Sequence, residues 1–208
     1  MAAPRPFRLG LTGDVGAGKS TVRRWLEAAG AAAIDADAVV HALLADDPAV
    51  RAAVAERFGP AVAPGGGIDR AALAAVVFGD PAALAALEAI LHPRVAAVID
   101  AWWGGVEADV AVVEAVKLVE AGLAERCDGV WLVVAAAPAR AARLTVRGWG
   151  PAEIARRMAA APPLAPRLAA ATEVIDNTGP PDATAAQLEA AWARLRVARR
   201  SAPSGRAR

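Results

Sequence analysis

The stretch Gly13-Asp14-Val15-Gly16-Ala17-Gly18-Lys19-Ser20-Thr21 constrains this chain more than any other, because it satisfies the pattern G-x-x-x-x-G-K-[ST] at every fixed position. Before it, Phe7 to Thr12 reads as a short buried strand. After it, Thr21 to Ala28 reads as a helix with Val22, Trp25, Leu26 and Ala29 on one stripe. Strand, glycine loop and helix in that order predict a phosphate cradle. Gly13, Gly16 and Gly18, with Ala17 between them, let backbone N–H groups close on an anion, and the following helix turns its positive end to the same anion. Lys19 is placed to reach the β- and γ-phosphates of ATP, and Ser20, beside Thr21, to hold a Mg2+ ion that bridges them. Lysine usage sharpens the reading. Only Lys19 and Lys117 occur, and every other basic residue is arginine, so lysine stands where a compact point charge suits a phosphate.

Length and composition bound the rest. The 208 residues suit one domain with an inserted or appended subdomain. Apolar residues make up 56 %, much of it alanine, which favours helices in a globular protein. No uninterrupted apolar run approaches the roughly 18 residues that span a bilayer, and the first strand follows the N-terminus too closely for a secretory leader. A net charge of +1 gives no global steering toward nucleic acid or an anionic membrane. The lone cysteine, Cys127, forms no internal disulfide and suits the cytoplasm; it reads as a plain structural thiol.

Along the chain, Ala31 to Ile34 reads as a second strand ending in Asp35-Ala36-Asp37. Ligands of open parallel sheets sit beyond the carboxyl ends of the strands, so this carboxylate pair is expected at the same crevice as the glycine loop. Asp35 and Asp37 are candidates to accept a proton from an attacking hydroxyl, and equally candidates to cap the helix that carries Val39, Val40, Leu43 and Leu44. One that caps and one that works would satisfy both readings. His41, four residues on, reads as a structural histidine. From Pro48 to about Gly105 the pattern is helical and interrupted, too long for a simple crossover, with Pro48 and Pro81 in first helical turns. An inserted subdomain that holds a second substrate is the expected result. Within it, Leu91-His92-Pro93-Arg94 sets an imidazole and a guanidinium beside a helix-kinking proline, and Trp102 and Trp103 pack the helix end.

Val110 to Val113 is the third strand, with Glu114 where an acidic residue meets the magnesium shell. Lys117 then has two open readings, an ion pair with Glu120 across a helical turn or a contact to an acceptor phosphate. Val130 to Val134 is the fourth strand. Beyond it Arg140, Arg143 and Arg147 recur at helical spacing, the chain breaks at Gly148-Trp149-Gly150-Pro151, and Arg156, Arg157 and Arg167 follow. This suits a lid that excludes water and sets a guanidinium against a transferring phosphoryl group; a solvated arginine surface is the alternative. Glu173 to Gly179 is a fifth strand and turn. There Asn177, the sole asparagine, has an amide that both donates and accepts, as an adenine edge requires. Pro181 to Val197 closes the fold with Leu188, Ala191, Trp192 and Leu195 inward.

The expected fold is α/β: a P-loop NTPase-like parallel five-stranded sheet flanked by helices (core 7–47, 108–137 and 170–197). An inserted helical subdomain is expected at 48–107, a helical lid at 138–163 and a disordered tail at 198–208. A GTPase would need Asn-Lys-x-Asp, and neither lysine adjoins Asn177. A motor or signalling ATPase would use a strong Asp at strand three. A small-molecule kinase needs an acceptor subdomain, a base and an arginine lid, and each has candidates here. A silent ATP-binding module remains the alternative of another class, and the carboxylate pair argues against it.

From the first strand through Asn177 the chain resembles the dephospho-coenzyme A kinase family. The resemblance is carried by Leu11-Thr12-Gly13 through Thr21, Ile34-Asp35-Ala36-Asp37, Phe58-Gly59 with Ile68-Asp69-Arg70 and Leu73, Leu91-His92-Pro93, and Val174-Ile175-Asp176-Asn177. It implies ATP-dependent phosphorylation of the ribose 3′-hydroxyl of dephospho-coenzyme A, the last step of coenzyme A synthesis. It implies Asp37 as the base, an acceptor region over roughly 48–105 with His92, and lid arginines at Arg143 and Arg147. It also implies an adenine-side loop from Asn177 to Gly179, and Mg2+ held through Ser20 and waters. Asp35, Arg70 and Lys117 join His92 as acceptor-side candidates. Three segments depart from the family pattern: Val116-Lys117-Leu118-Val119-Glu120 stands for Pro-Leu-Leu-x-Glu, Ala159 to Pro163 lacks a glutamine, and Ala171-Thr172-Glu173 replaces an Ala-Asp start. The expected partner is a small-molecule substrate, with neither nucleic acid nor membrane; another nucleotide-directed kinase is the runner-up, and oligomeric state stays open.

Overall fold

Strand β1 (Phe7–Gly13) sends Leu9 and Leu11 into the core with no exposure at all, and everything else in its layer is built beside it. The structure, a computed structural model, describes residues 5–201. After β1 come helix α1 (Lys19–Ala28), strand β2 (Ala32–Asp35), and helices α2 (Ala36–Asp46), α3 (Pro48–Phe58), α4 (Arg70–Val77) and α5 (Pro81–Gly105). Strand β3 (Val110–Glu114), strand β4 (Gly129–Val134), helices α6 (Ala137–Val146), α7 (Pro151–Ala159) and α8 (Leu164–Ala170), strand β5 (Glu173–Asp176) and helix α9 (Pro181–Ser201) complete the order.

The five strands form one sheet in the order β2-β3-β1-β4-β5, parallel as expected. β1 therefore sits at the point where the connections change direction, which is where open α/β sheets bind ligands. The register makes this concrete. Leu11 pairs with Glu114, Gly13 with Val133, and Val134 with Asp176. The glycine loop, Glu114 and Asn177 thus leave the sheet at the same end. The central strands are buried on both faces, and side chains alternate between them: on one face Leu9, Leu11, Val110, Val112, Trp131, Val133 and Ile175 meet Val22 and Leu26 of α1 and Leu188, Ala191 and Leu195 of α9. Trp25 and Trp192 close the seam edge to face at 6.3 Å.

The chain divides into two compact units, one of the residues up to Ile34 with those from Val106 on, the other Asp35–Gly105. The helical unit takes in α2, which the sequence reading assigned to the core. Each of its helices opens on an aspartate. Asp35, Asp47, Asp69 and Asp80 accept from the backbone N–H two residues on, at 2.8–2.9 Å. Pro48 and Pro81 take first-turn positions where no donor is lost. α5 is long and apolar enough to cross a membrane by composition alone. Its buried stripe of Ala83, Leu87, Leu91, Val95, Ile99 and Trp103 recurs every fourth residue, and α2, α3 and α4 all pack on it, as on the core helix of a globular unit.

Three expectations change. Pro93 lies inside α5, whose helical assignment continues across it from Pro81 to Gly105. The segment with Lys117 and Glu120 is a run of turns, not a helix, so spacing sets no pair there. The tail expected over 198–208 begins as helix, because α9 runs to Ser201; residues 202–208 lie outside the described residues. Cys127 is half-buried and its Sγ donates to the Leu123 carbonyl at 3.3 Å. Burial, and then the neighbouring Asp128 charge, push its thiol up to about 12, so it stays protonated and inert at neutral pH.

Candidate functional site

The loop between β1 and α1 has the conformation its glycines predict. Gly18 has φ +103°, and a Cβ there would fall 2.1 Å from Asn177 Nδ2; at Gly13, φ +150°, it would meet the Val133 carbonyl oxygen at 2.3 Å. No other residue fits either place. The loop carbonyls are tied down from outside. Val15 O accepts from Arg140 Nε at 3.2 Å, Gly16 O and Ala17 O from Arg143 Nη1 at 3.4 and 3.2 Å, and Ala17 O also from Asn177 Nδ2 at 2.8 Å. In a trans peptide the next N–H points opposite to the carbonyl, so the Gly16 and Gly18 N–H groups are turned away from these braces. The Ala17 N–H closes the turn onto Asp14 O. Lys19 is buried, with Nζ 3.0 Å from Gly13 O and 3.4 Å from Asp14 O, so its ammonium is folded along the rim of the loop.

Ser20 and Glu114, predicted as the magnesium-side pair, are brought together: Ser20 Oγ donates to Glu114 Oε1 at 3.2 Å. Glu114 is 5 % exposed, and its second oxygen accepts from Arg23 Nε at 2.8 Å. Arg23 escaped the sequence reading because it stands 91 positions from its partner. No cluster of three or more His, Cys, Asp or Glu capable of holding a metal occurs among the described residues. Hard oxygen donors at Ser20 and Glu114 nevertheless suit a small divalent ion that takes its remaining ligands from phosphates and water.

Above the loop, α6, α1 and the start of α9 enclose a cavity of about 580 Å3, lined among others by Gly18, Thr21, Arg143, Arg147, Asn177 and Gly179. Arg143 and Arg147 therefore both line this cavity. Arg143, expected against the transferring phosphoryl group, spends its guanidinium on Gly16 O, Ala17 O and Asn177 O. Its observed work is to brace the loop. Arg147, at the end of α6, is exposed. Arg156 and Arg157 both pair with Glu153, and Arg157 also lies over the Trp149 ring at 5.4 Å.

Asn177 also differs from expectation. It is 9 % exposed; its Nδ2 goes to Ala17 O and its Oδ1 accepts from Thr184 Oγ1 at 2.9 Å. The amide read as an adenine contact is turned inward instead, because β5 ends beside the glycine loop. Asn177→Ala is expected to destabilise the protein by about 1–2 kcal/mol, since it takes the acceptor from the buried Thr184 hydroxyl while Ala17 O keeps its bond from Arg143. A urea midpoint unchanged within error would show that these bonds are replaced by water.

In the helical unit, Asp35 is the cap: its Oδ1 accepts from Asp37 N and Ala38 N at 2.9 and 3.3 Å. Asp37 stands exposed in the first turn of α2. Arg70 Nη2 lies 2.8 Å from His41 Nε2. A guanidinium only donates, so Nε2 accepts and the neutral ring carries its proton on Nδ1. His92 is half-buried on α5, and Lys117 half-buried in the turns after β3.

Comparison with known proteins fits this geometry. The sequence model of the dephospho-CoA kinase family matches residues 7–182. The dephospho-CoA kinase of Symbiobacterium thermophilum is 43 % identical over 88 % of this chain and 79 % of its own length, and that of Geobacter metallireducens 41 % over 88 % and 94 %. The crystal structure of TT1252 from Thermus thermophilus superposes with a TM-score of 0.79 at 34 % identity, covering 92 % of this chain and 98 % of that one. A braced phosphate loop at the switch point of a parallel sheet, in a sequence matched nearly end to end, leaves one conclusion: the chain belongs to the dephospho-CoA kinase family.

Proposed function

We infer that the protein transfers the γ-phosphoryl group of ATP to the ribose 3′-hydroxyl of dephospho-CoA, giving CoA and ADP in the last step of CoA biosynthesis. The observation that carries this reading is the built and braced loop at 13–21 in a chain that the family matches from β1 to the start of α9. ATP lies with its phosphates in the loop and its base in the cavity lined by Arg147 and Gly179. Thr21 and the N–H groups at the start of α1 add donors and a positive helix end. Lys19 leaves its carbonyl contacts to bridge the β- and γ-phosphates, where it neutralises charge that grows on the leaving oxygen.

Ser20 and Glu114 would hold Mg2+, Ser20 directly and Glu114 through water, since Arg23 already engages one Glu114 oxygen. When bound, the ion screens the phosphate oxygens. Asp37 acts as general base: it accepts the proton of the attacking hydroxyl, while the Asp35 cap fixes the helix turn that presents it. Arg70, His92 and Lys117 form the acceptor side, with Arg70 held by its bond to His41 Nε2 in the helical unit. Arg143 keeps the loop in shape, and Arg147 meets the nucleotide. A Cys127 held as thiol suits a reducing, cytoplasmic setting.

An acceptor panel tests the assignment. ADP release is measured with dephospho-CoA, AMP, adenosine and phosphopantetheine at equal concentration. Dephospho-CoA is expected to lead in kcat/KM by about a hundredfold or more, because an acceptor that leaves polar groups unpaired loses transition-state binding. A faster reaction with any other member would reassign the substrate.

A further inference from the structure

No motif singles out Arg167, yet its side chain is 1 % exposed, the most deeply buried charge in the sheet-containing unit among the described residues. From α8, its Nε donates to Pro163 O at 3.2 Å and its Nη2 to Pro162 O at 2.7 Å. Nη2 also stands 2.8 Å from Asp14 Oδ1, a charge contact rather than an aligned hydrogen bond, and Nη1 is buried without a hydrogen-bond partner. The other Asp14 oxygen takes Nη1 of Arg140, from α6. Asp14 is the second residue of the phosphate loop, and its carbonyl lies 3.4 Å from Lys19 Nζ. A carboxylate is thus built into the rim of a site that binds polyphosphate, between guanidinium groups from two helices.

Carbonyl oxygens satisfy donors but do not neutralise charge, so burying Arg167 this far is costly unless an anion stands beside it. Asp14 is that anion. Seen from the loop, one arginine cancels the carboxylate and the second leaves the rim positive. We propose that Arg167 is a positioning residue for nucleotide binding: it neutralises Asp14, so that the loop carboxylate anchors Arg140 on Val15 O instead of repelling the phosphates.

The inference rests on the loop as the nucleotide site, which ADP binding to the unmodified protein reports separately; absence of that binding overturns both. Arg167→Gln keeps an amide that can reach the Pro162 and Pro163 carbonyls but removes the charge. Its ADP dissociation constant, by calorimetry, is expected to rise roughly tenfold, the effect of one poorly compensated charge at a partly desolvated site. In Asp14→Asn/Arg167→Gln most of that loss is expected to return, and the inhibition constant of adenosine, which has no phosphate, stays within about twofold throughout. A simple packing role for Arg167 predicts instead a loss that persists in the double variant and extends to adenosine. That result, or ADP affinity unchanged in Arg167→Gln, overturns the assignment. If Arg167→Gln does not fold, Arg140→Gln with and without Asp14→Asn puts the same question from the other side of the carboxylate, with the same outcomes deciding it.

Discussion

Lys19→Met lowers kcat/KM for ATP by roughly a thousandfold, about 4 kcal/mol of transition-state stabilisation. Methionine retains the unbranched stem, so the buried packing of position 19 is kept and only the charge is lost. In the structure the ammonium lies against carbonyl oxygens of its own loop, Gly13 O at 3.0 Å and Asp14 O at 3.4 Å. Those are neutral acceptors on the rim, which a doubly charged phosphate outbids once nucleotide is bound. The charge is therefore held close to its working place at little cost in reorganisation. ADP release in steady state reads kcat/KM, and a thermal melt of the same variant reads folding. A variant that melts like the parent and turns over within tenfold of it would remove Lys19 from the chemistry.

How far the sequence reaches depends on whether an interaction is local. The glycine loop, the Asp35 cap of α2 and the strands depend on residues within a few positions of one another and are legible; Asp47, Asp69 and Asp80 cap α3 to α5 by the same local signal, which the sequence reading leaves unused. So was the meeting of Ser20 with Glu114, although 94 positions separate them, because strand order in a P-loop fold fixes which strand end faces the loop. What stayed hidden are side-chain pairings that strand order does not specify. Arg23 on Glu114, Arg140 and Arg167 on Asp14, and Asn177 on Ala17 O join positions 91 to 160 apart, apart from which nothing in their spacing marks them. Arg143 and Asn177, whose types suit phosphate and adenine, are expected from the sequence to face the ligand. Both face the loop carbonyls, since a loop whose N–H groups serve an anion leaves carbonyls behind it that need donors of their own. The helix that overran the expected tail has a simpler cause: alanine and arginine after Leu195 are good helix formers, and nothing before Ser201 stops them.

Asp37→Asn separates the carboxylate proposed as base from its neighbour. Its kcat is expected to fall by about 10²- to 10⁴-fold, the range for loss of a general base, while the dissociation constant of ADP stays within about threefold. Asparagine is isosteric and keeps the backbone N–H that Asp35 Oδ1 accepts at 2.9 Å, so the turn survives. Asp35→Asn is the control, because asparagine caps a helix about as well as aspartate and the change should cost little stability or turnover. Retained turnover in Asp37→Asn, with loss in Asp35→Asn, would exchange the two roles: the carboxylate that caps would then also have to take the proton with its second oxygen. The division as drawn rests on Asp37 being exposed, whereas one oxygen of Asp35 already accepts two N–H groups.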